Sequence, residues 1–443
     1  MKRNYIFYIL TLCAGLLITS CTNEEDDLFS KSAAERLNEA IKNSKEALIA
    51  APNGWVMEYF PTPIGGGYAM LVKFEKNGSV TVSAQNKYFP QITTSTSTFD
   101  VIGDQGPVIT FDSENEVLHL FSYPKDPEGG NDKNGLGLEG DYEFVVTDIK
   151  EDLITLAGKK RGTRIYLRPL SENTNWDEYI GNLYNLDKFL FDSKVPYQYL
   201  NTESGKYRLY SGESHVFLLT DDTDDYVEGD GISVPFIVTP EGIKTYSLNS
   251  KDGNEFQILN LNSNKSELVA QESSVTITGL DFLAFFTKED NWKKGWEIDA
   301  DNIGGTFKQY YAEIVKNYKE TAGYNEDFEG FVLTIKHLKG KESYALTFSS
   351  SKGTGIDKQT YPGMYMLESE TISGSENLIT FTDKGTADLN GEKVRGAIGG
   401  MDQFIKELCN GSFVITPDSP LRPSVFTLTS KSNSNNWFKV VLK

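Results

Sequence analysis

The feature that most constrains the fold is a period-two texture that begins at Gly54 and returns along most of the chain. Trp55, Met57 and Tyr59 alternate with Val56, Glu58 and Phe60, the spacing of a strand with one buried face. Further short strands are expected over 68–75, 80–84, 108–111, 117–123, 142–148, 153–158 and 164–168. Asn77-Gly78, Gly103-Asp104, Glu139-Gly140 and Arg161-Gly162 separate them, and these are the residues that turn one antiparallel strand into the next. Strand-like segments return at 207–210, 216–220, 236–238 and 244–248, and again from 331 to the end of the chain.

Three helical patterns interrupt this texture. In 29–51, Leu37, Ala40, Ile41, Ala47 and Leu48 recur at intervals of three and four before Ala51-Pro52-Asn53-Gly54 stops the run. The second covers 176–191, with Tyr179, Ile180, Leu183, Tyr184 and Leu186, and the third 307–318, with Tyr310, Tyr311, Ile314, Val315 and Tyr318. A shorter amphipathic helix is expected at 401–409. The fold class is therefore mainly β with connecting helices (α+β): an N-terminal helix, an antiparallel barrel- or sandwich-like module, then further helix-plus-β modules. The expected division is a helix-plus-β module over 29–172, a β-rich module over 173–300 and a helix-plus-β module over 301–443. Phe74 to Gly78, Val238 to Gly242 and Phe381 to Gly385 each place glycine four residues after an apolar residue, and 153–156 is similar to 378–381. Duplicated modules would leave such an echo, and hairpins also produce it by chance.

Lys2 and Arg3 precede an apolar stretch from Tyr5 to Ile18, shorter than the ~20 residues a membrane-crossing helix needs. A basic start, a short apolar run and small residues before a cut describe a signal peptide over 1–20. Ile18-Thr19-Ser20-Cys21 fits the bacterial lipobox, so Cys21 is the expected lipid attachment site, its palmitate-like chains the anchor and the outer membrane the expected partner. Cleavage removes Lys2 and Arg3 and takes the net charge from −20 to −22. Cys409 is then left without an internal partner and reads as a small buried apolar residue. A chain this acidic repels phosphate backbones, which excludes nucleic acid as an expected partner.

Residues 21–28 form an acidic tether, Thr22-Asn23-Glu24-Glu25-Asp26-Asp27 following the anchor. This run resembles the export signal of Bacteroidetes surface lipoproteins, which implies a lipid-anchored protein facing the cell exterior. Glu35 to Ala40, Pro52-Asn53-Gly54-Trp55-Val56-Met57-Glu58-Tyr59-Phe60-Pro61, Gly67-Tyr68 and Phe74-Glu75-Lys76-Asn77-Gly78 together resemble the Bacteroidetes lipoprotein family known as domain of unknown function 4302. The motif consists of a helix stop, a Trp-led strand, a Gly-rich bend and a hairpin turn, so it marks kinship and carries no catalytic residues. The resemblance implies nutrient capture beside a TonB-dependent transporter, with a glycan among the ligands such systems take.

Residue chemistry points the same way. His119, His215 and His337 are the three histidines, and each lies in strand-like surroundings outside any His-Glu-x-x-His pattern. Gly65-Gly66-Gly67 is a bend without the lysine a phosphate loop needs. Asp221, Asp222, Asp224, Asp225 and Asp230 supply the hard oxygens calcium requires, but Tyr226 stands where an EF-hand loop wants glycine, which favours a solvated loop. Asp126, Glu128, Asn131, Asp132 and Asn134 make a second polar loop of the same kind. Trp292 and Trp296 flank Lys293-Lys294-Gly295. Exposed, these indoles would stack on sugar rings or grip a partner; buried, the favoured reading, they would tie two modules together. The leading expectation is a non-catalytic binding protein. Its rivals are a structural or adhesive envelope protein and a hydrolase built on an unrecognised carboxylate pair.

Overall fold

A computed structural model describes residues 31–125, 127, 135–191, 194–211, 214–222, 231–374 and 376–443. The signal peptide, Cys21, the acidic tether, Asp126, the loop residues 128–134, and Asp224, Asp225 and Asp230 lie outside the described residues. The β-rich expectation resolves into three closed antiparallel barrels of eight strands, each closed by pairing its last strand with its first.

The first barrel is preceded by α1 (Ala33–Ile49), whose start is fixed by a capping box between Ser32 and Glu35. Its strands are β1 (Trp55–Tyr59), β2 (Tyr68–Phe74), β3 (Ser79–Ala84), β4 (Thr93–Gly103), β5 (Pro107–Phe111), β6 (Glu143–Ile149), β7 (Ile154–Gly158) and β8 (Arg164–Pro169). Closure sets Met57 opposite Leu167, and Met57, Tyr59, Met70, Val72, Val80 and Val82 fill the interior. The Trp55 indole N–H donates to Leu48 O at 2.8 Å, which ties α1 to the first strand. Between β5 and β6 the expected strand over 117–123 is instead α2 (Glu116–His119) followed by a 3₁₀ turn. Asn115 caps α2 through Leu118 N, and the buried set Val117, Leu118 and Phe121 has helical spacing. The strand β4 carries a Thr/Ser run that shows little apolar alternation, but its hydroxyls pair across the sheet, as in Thr81–Thr96 at 3.0 Å.

The second barrel follows α3 (Trp176–Leu190) and comprises β9 (Gln198–Asn201), β10 (Lys206–Ser211), β11 (Val216–Asp221), β12 (Ile232–Thr239), β13 (Gly242–Lys251), β14 (Asn254–Leu261), β15 (Glu267–Ala270) and β16 (Thr276–Thr278). The third opens with two short helices, α4 (Phe282–Thr287) and α5 (Glu289–Lys294), then β17 (Trp296–Ile303) and α6 (Gly305–Glu320). It continues through β18 (Asp327–Leu338), β19 (Lys341–Lys352), β20 (Gln359–Ile372), β21 (Leu378–Ala387), α7 (Leu389–Ala397), α8 (Met401–Leu408), β22 (Ser412–Pro417), β23 (Val425–Ser430) and β24 (Trp437–Leu442).

Two expectations change. Phe285, Phe286 and Trp292 belong to the core of the third barrel, so that module begins near residue 280 and the division at 300/301 cuts through β17. The glycine echoes fall at the β2–β3 turn, the β12–β13 turn and within β21, which are the second, fourth and fifth strands of their barrels. Two are hairpin turns and the third lies inside a strand, so they do not mark one repeated position of the barrel.

The first two barrels meet through the glycine bend before β2. Gly67 N donates to Phe236 O of β12 at 2.9 Å, and a Cβ on Gly66 would stand 1.8 Å from Ser214 O. The bend is a close-approach surface, and glycine is what permits it. His215, with φ +54, is buried here. Its Nδ1 is 2.7 Å from Gly67 O and its Nε2 3.0 Å from Asp187 Oδ1 of α3. Both partners are acceptors, so the arrangement is satisfied by the doubly protonated ring. Burial opposes that charge, but Asp187 and the Gly67 carbonyl outweigh it and the pKa is raised above the usual histidine value. At the same junction, Glu58 is buried and accepts from Arg168 Nε at 2.8 Å and from Lys244 Nζ of the second barrel at 2.5 Å.

Candidate functional site

The second and third barrels meet differently. The segment after β22 reaches back to the second barrel: Ser419 Oγ and Arg422 Nε donate to Phe189 O at 3.0 and 3.2 Å, and Gln198 Nε2 donates to Leu421 O at 3.0 Å. Lys194 Nζ donates to Leu442 O at 2.5 Å. These bonds join the two barrels, and a cleft of about 920 Å³ lies between residues of both. Sites for small molecules run roughly 300–1,000 Å³.

One wall is the outer face of β9 and β10. Alternation puts Leu200 and Leu209 into the barrel and turns Tyr197, Tyr199, Lys206, Arg208 and Tyr210 outward. Tyr197 packs on Tyr199 and Tyr210 with ring centroids 5.3 and 5.4 Å apart. The Lys206 ammonium stands 3.5 Å from the Tyr199 ring centre and the Arg208 guanidinium 4.7 Å from that of Tyr197, each held by the ring's electron-rich face. Partial burial and the neighbouring Tyr197 hydroxyl push Tyr199 up to about 12, so it stays a neutral phenol.

The opposite wall is α4 and α5. Asp281 caps α4, accepting from Ala284 N at 2.8 Å, and the buried Asn291 amide donates to Phe285 O at 2.8 Å to lock the two helices together. Lys288, Lys293 and Lys294 line the cleft from this side. Lys293 pairs with Glu289 and Lys288 with Asp290 at 3.8 Å. Among the described residues, neither Lys294 nor Lys206 is paired with a carboxylate.

Trp292 and Trp296 are 2 % and 0 % exposed, in keeping with the favoured reading of burial and against the weaker one of ligand binding. Trp292 packs edge-on against Tyr344 and Phe286, and Trp296 lies against Phe286 and Phe426. They lie in one barrel core and do not bridge two modules. Their burial fixes α5, and with it the lysines between them, against the cleft. Asp221 and Asp222 are paired with Lys251 at 3.3 Å and Arg208 at 2.8 Å. Among the described residues no group of three or more His, Cys, Asp or Glu could hold a metal. His119 sits in α2, its Nδ1 3.0 Å from Asn115 N, and His337 lies on the surface 3.7 Å from Glu342. Cys409 is half-buried and burial pushes its thiol up to about 11, so it is held as an inert thiol.

A second cleft, of about 560 Å³, lies at the junction of the first two barrels and includes Glu58, Arg168, Tyr179, Glu241 and Lys244. Its buried carboxylate, Glu58, is engaged by two cations.

Fold and site together define a scaffold of three tandem barrels with a cationic, tyrosine-floored cleft between the second and third. The chain belongs to the family described as Domain of unknown function (DUF4302), whose model matches residues 25–263, more than half of the chain. The match contains Tyr197, Tyr199 and Lys206 and stops before the lysines of α5. No curated protein matches. Among solved structures, the chain is similar to the β subunit from DNA polymerase of Streptococcus pyogenes, at 11 % identity over 91 % of this chain and 96 % of that one, with TM-score 0.13. It is also similar to DNA polymerase III subunit β from Borrelia burgdorferi, at 10 % identity over 92 % and 96 %, with TM-score 0.15. A third is the DnaN sliding clamp from Bartonella birtlesii, at 10 % identity over 90 % and 96 %, with TM-score 0.13. At these TM-scores the likenesses carry no argument.

Proposed function

We propose that this chain is a non-catalytic outer-membrane lipoprotein, anchored through Cys21 and facing the cell exterior, that captures a nutrient for a TonB-dependent uptake system. The observation that carries the reading is the cleft between the second and third barrels. It has the volume of a ligand site, tyrosine rings with seated cations on one wall, and further lysines on the other, set against an otherwise acidic chain. The cleft favours this reading over an adhesive envelope protein, for which a pocketless apolar patch is the expected signature. The lipobox and the acidic tether support the address.

The test is recovery of the intact lipoprotein from cells in mild detergent, with co-purifying proteins identified by mass spectrometry and surface exposure checked by proteolysis of whole cells. A TonB-dependent transporter in the eluate and protease sensitivity in intact cells are expected. Recovery of the protein alone, protected from external protease, would contradict both the uptake role and the location.

A further inference from the structure

The composition of the cleft specifies the charge of its ligand, an inference that rests on reading the cleft as the binding site. In a chain of net charge −20, five lysines (Lys194, Lys206, Lys288, Lys293 and Lys294) line one concavity with two aspartates, Asp281 and Asp290. Lys293 is paired with Glu289 and Lys194 donates to Leu442 O, so the cations that count here are Lys206 and Lys294. Asp281 is spent on the cap of α4 and Asp290 on Lys288. Lys206 is held in place by the Tyr199 ring and, among the described residues, is in no ion pair with a carboxylate. Cations gathered between low-dielectric walls focus their field outward and raise the local concentration of anions.

Charge alone does not describe the surface. Pro196 lies beside the tyrosines, and Leu280 and Ala284 line the same cleft from the opposite wall, giving apolar area between the cations. A bare inorganic anion would use the lysines and leave this floor wet. A neutral sugar would use the floor and leave the lysine charges uncompensated. A ligand with planar-faced apolar rings and regularly spaced anionic groups uses both. We propose that the cleft binds an acidic oligosaccharide, a sugar chain bearing carboxylate or sulfate groups.

The test is titration calorimetry of the purified full chain with oligogalacturonate and with chondroitin sulfate oligosaccharides, which separate the carboxylate from the sulfate source. Maltohexaose, polyglutamate and oligothymidylate serve as controls. At least one acidic sugar is expected to bind, more weakly as salt is added, with maltohexaose silent. Lys206→Ala with Lys294→Ala should weaken binding about tenfold or more, while Lys206→Arg with Lys294→Arg stays within about threefold. An unchanged melting temperature in both double variants separates lost contacts from lost folding. Tight, salt-insensitive binding of maltohexaose would overturn the acidic ligand while leaving the nutrient-binding role standing. Polyglutamate or oligothymidylate binding more tightly than either sugar would overturn the saccharide. Silence from every probe would overturn the inference, and transporter recovery would then decide the uptake role separately.

Discussion

The two junctions of this chain use charge in opposite ways. Between the first and second barrels the charged groups are spent on each other: Glu58 takes Arg168 and Lys244, and Asp187 takes His215. Between the second and third, main-chain carbonyls do the joining, accepting from Ser419, Arg422, Gln198 and Lys194, and lysines remain facing an open cleft. A junction whose buried charges are mutually satisfied fixes two bodies in one arrangement, whereas one joined through neutral acceptors leaves cations available to a ligand. The first reads as architecture and the second as a site.

The largest expected effect breaks the wall of the open cleft. Trp296→Ala removes a fully buried indole and should cost about 3–5 kcal/mol in the stability of the third barrel, measured by chemical denaturation, with loss of ligand binding as α5 loosens. Next comes the closed junction. Glu58→Gln leaves Lys244, which is 13 % exposed, facing Arg168 without a counter-charge, at about 2–3 kcal/mol. Arg168 is 45 % exposed and adds little of this. The variant should destabilise the first two barrels and leave cleft binding intact. If it abolished binding instead, the two junctions would not be separable.

A smaller effect is a pH dependence confined to the closed junction. His215 faces Asp187 from α3, the Gly67 carbonyl, the Tyr68 ring of β2 and, at longer range, Lys87 of the β3–β4 turn. Because its folded pKa lies above the ordinary value, its contribution is fully present below the unfolded pKa and is lost as pH rises through the folded one. Melting curves from about pH 6 to about pH 8.5 should show falling stability, and His215→Gln should flatten that slope. The smallest expected effect is that of calcium. With Asp221 and Asp222 already paired to Lys251 and Arg208, added calcium is expected to leave the melting temperature unchanged, and a rise would show binding in the acidic run.

Legibility in the sequence followed local physics. The strands around Trp55, Tyr68 and Arg164 and the helices around Ala40, Ile180 and Ile314 were readable because one apolar face repeats at one period. The strand β4 was not, because its Thr/Ser run is stabilised by cross-strand hydroxyls. Nor was α2, because Val117, Leu118, Leu120 and Phe121 fit a strand as readily as a helix until Asn115 is seen to cap it. The Trp292–Trp296 segment divides by burial. The indoles are core, and the lysines between them line the cleft. The outward set Tyr197, Tyr199, Lys206, Arg208 and Tyr210 is a visible alternation in the sequence, but its meaning depends on a third barrel placed opposite, and no local pattern encodes that placement.

The most direct test of the contrast between the junctions is amine-selective labelling of the native chain, read lysine by lysine by mass spectrometry. Lys206 and Lys294 should label rapidly and become protected when an acidic oligosaccharide is added, while Lys244 stays unreactive throughout. A reactive Lys244 beside slow Lys206 and Lys294, or labelling unchanged by a ligand that calorimetry shows to be bound, would contradict the account.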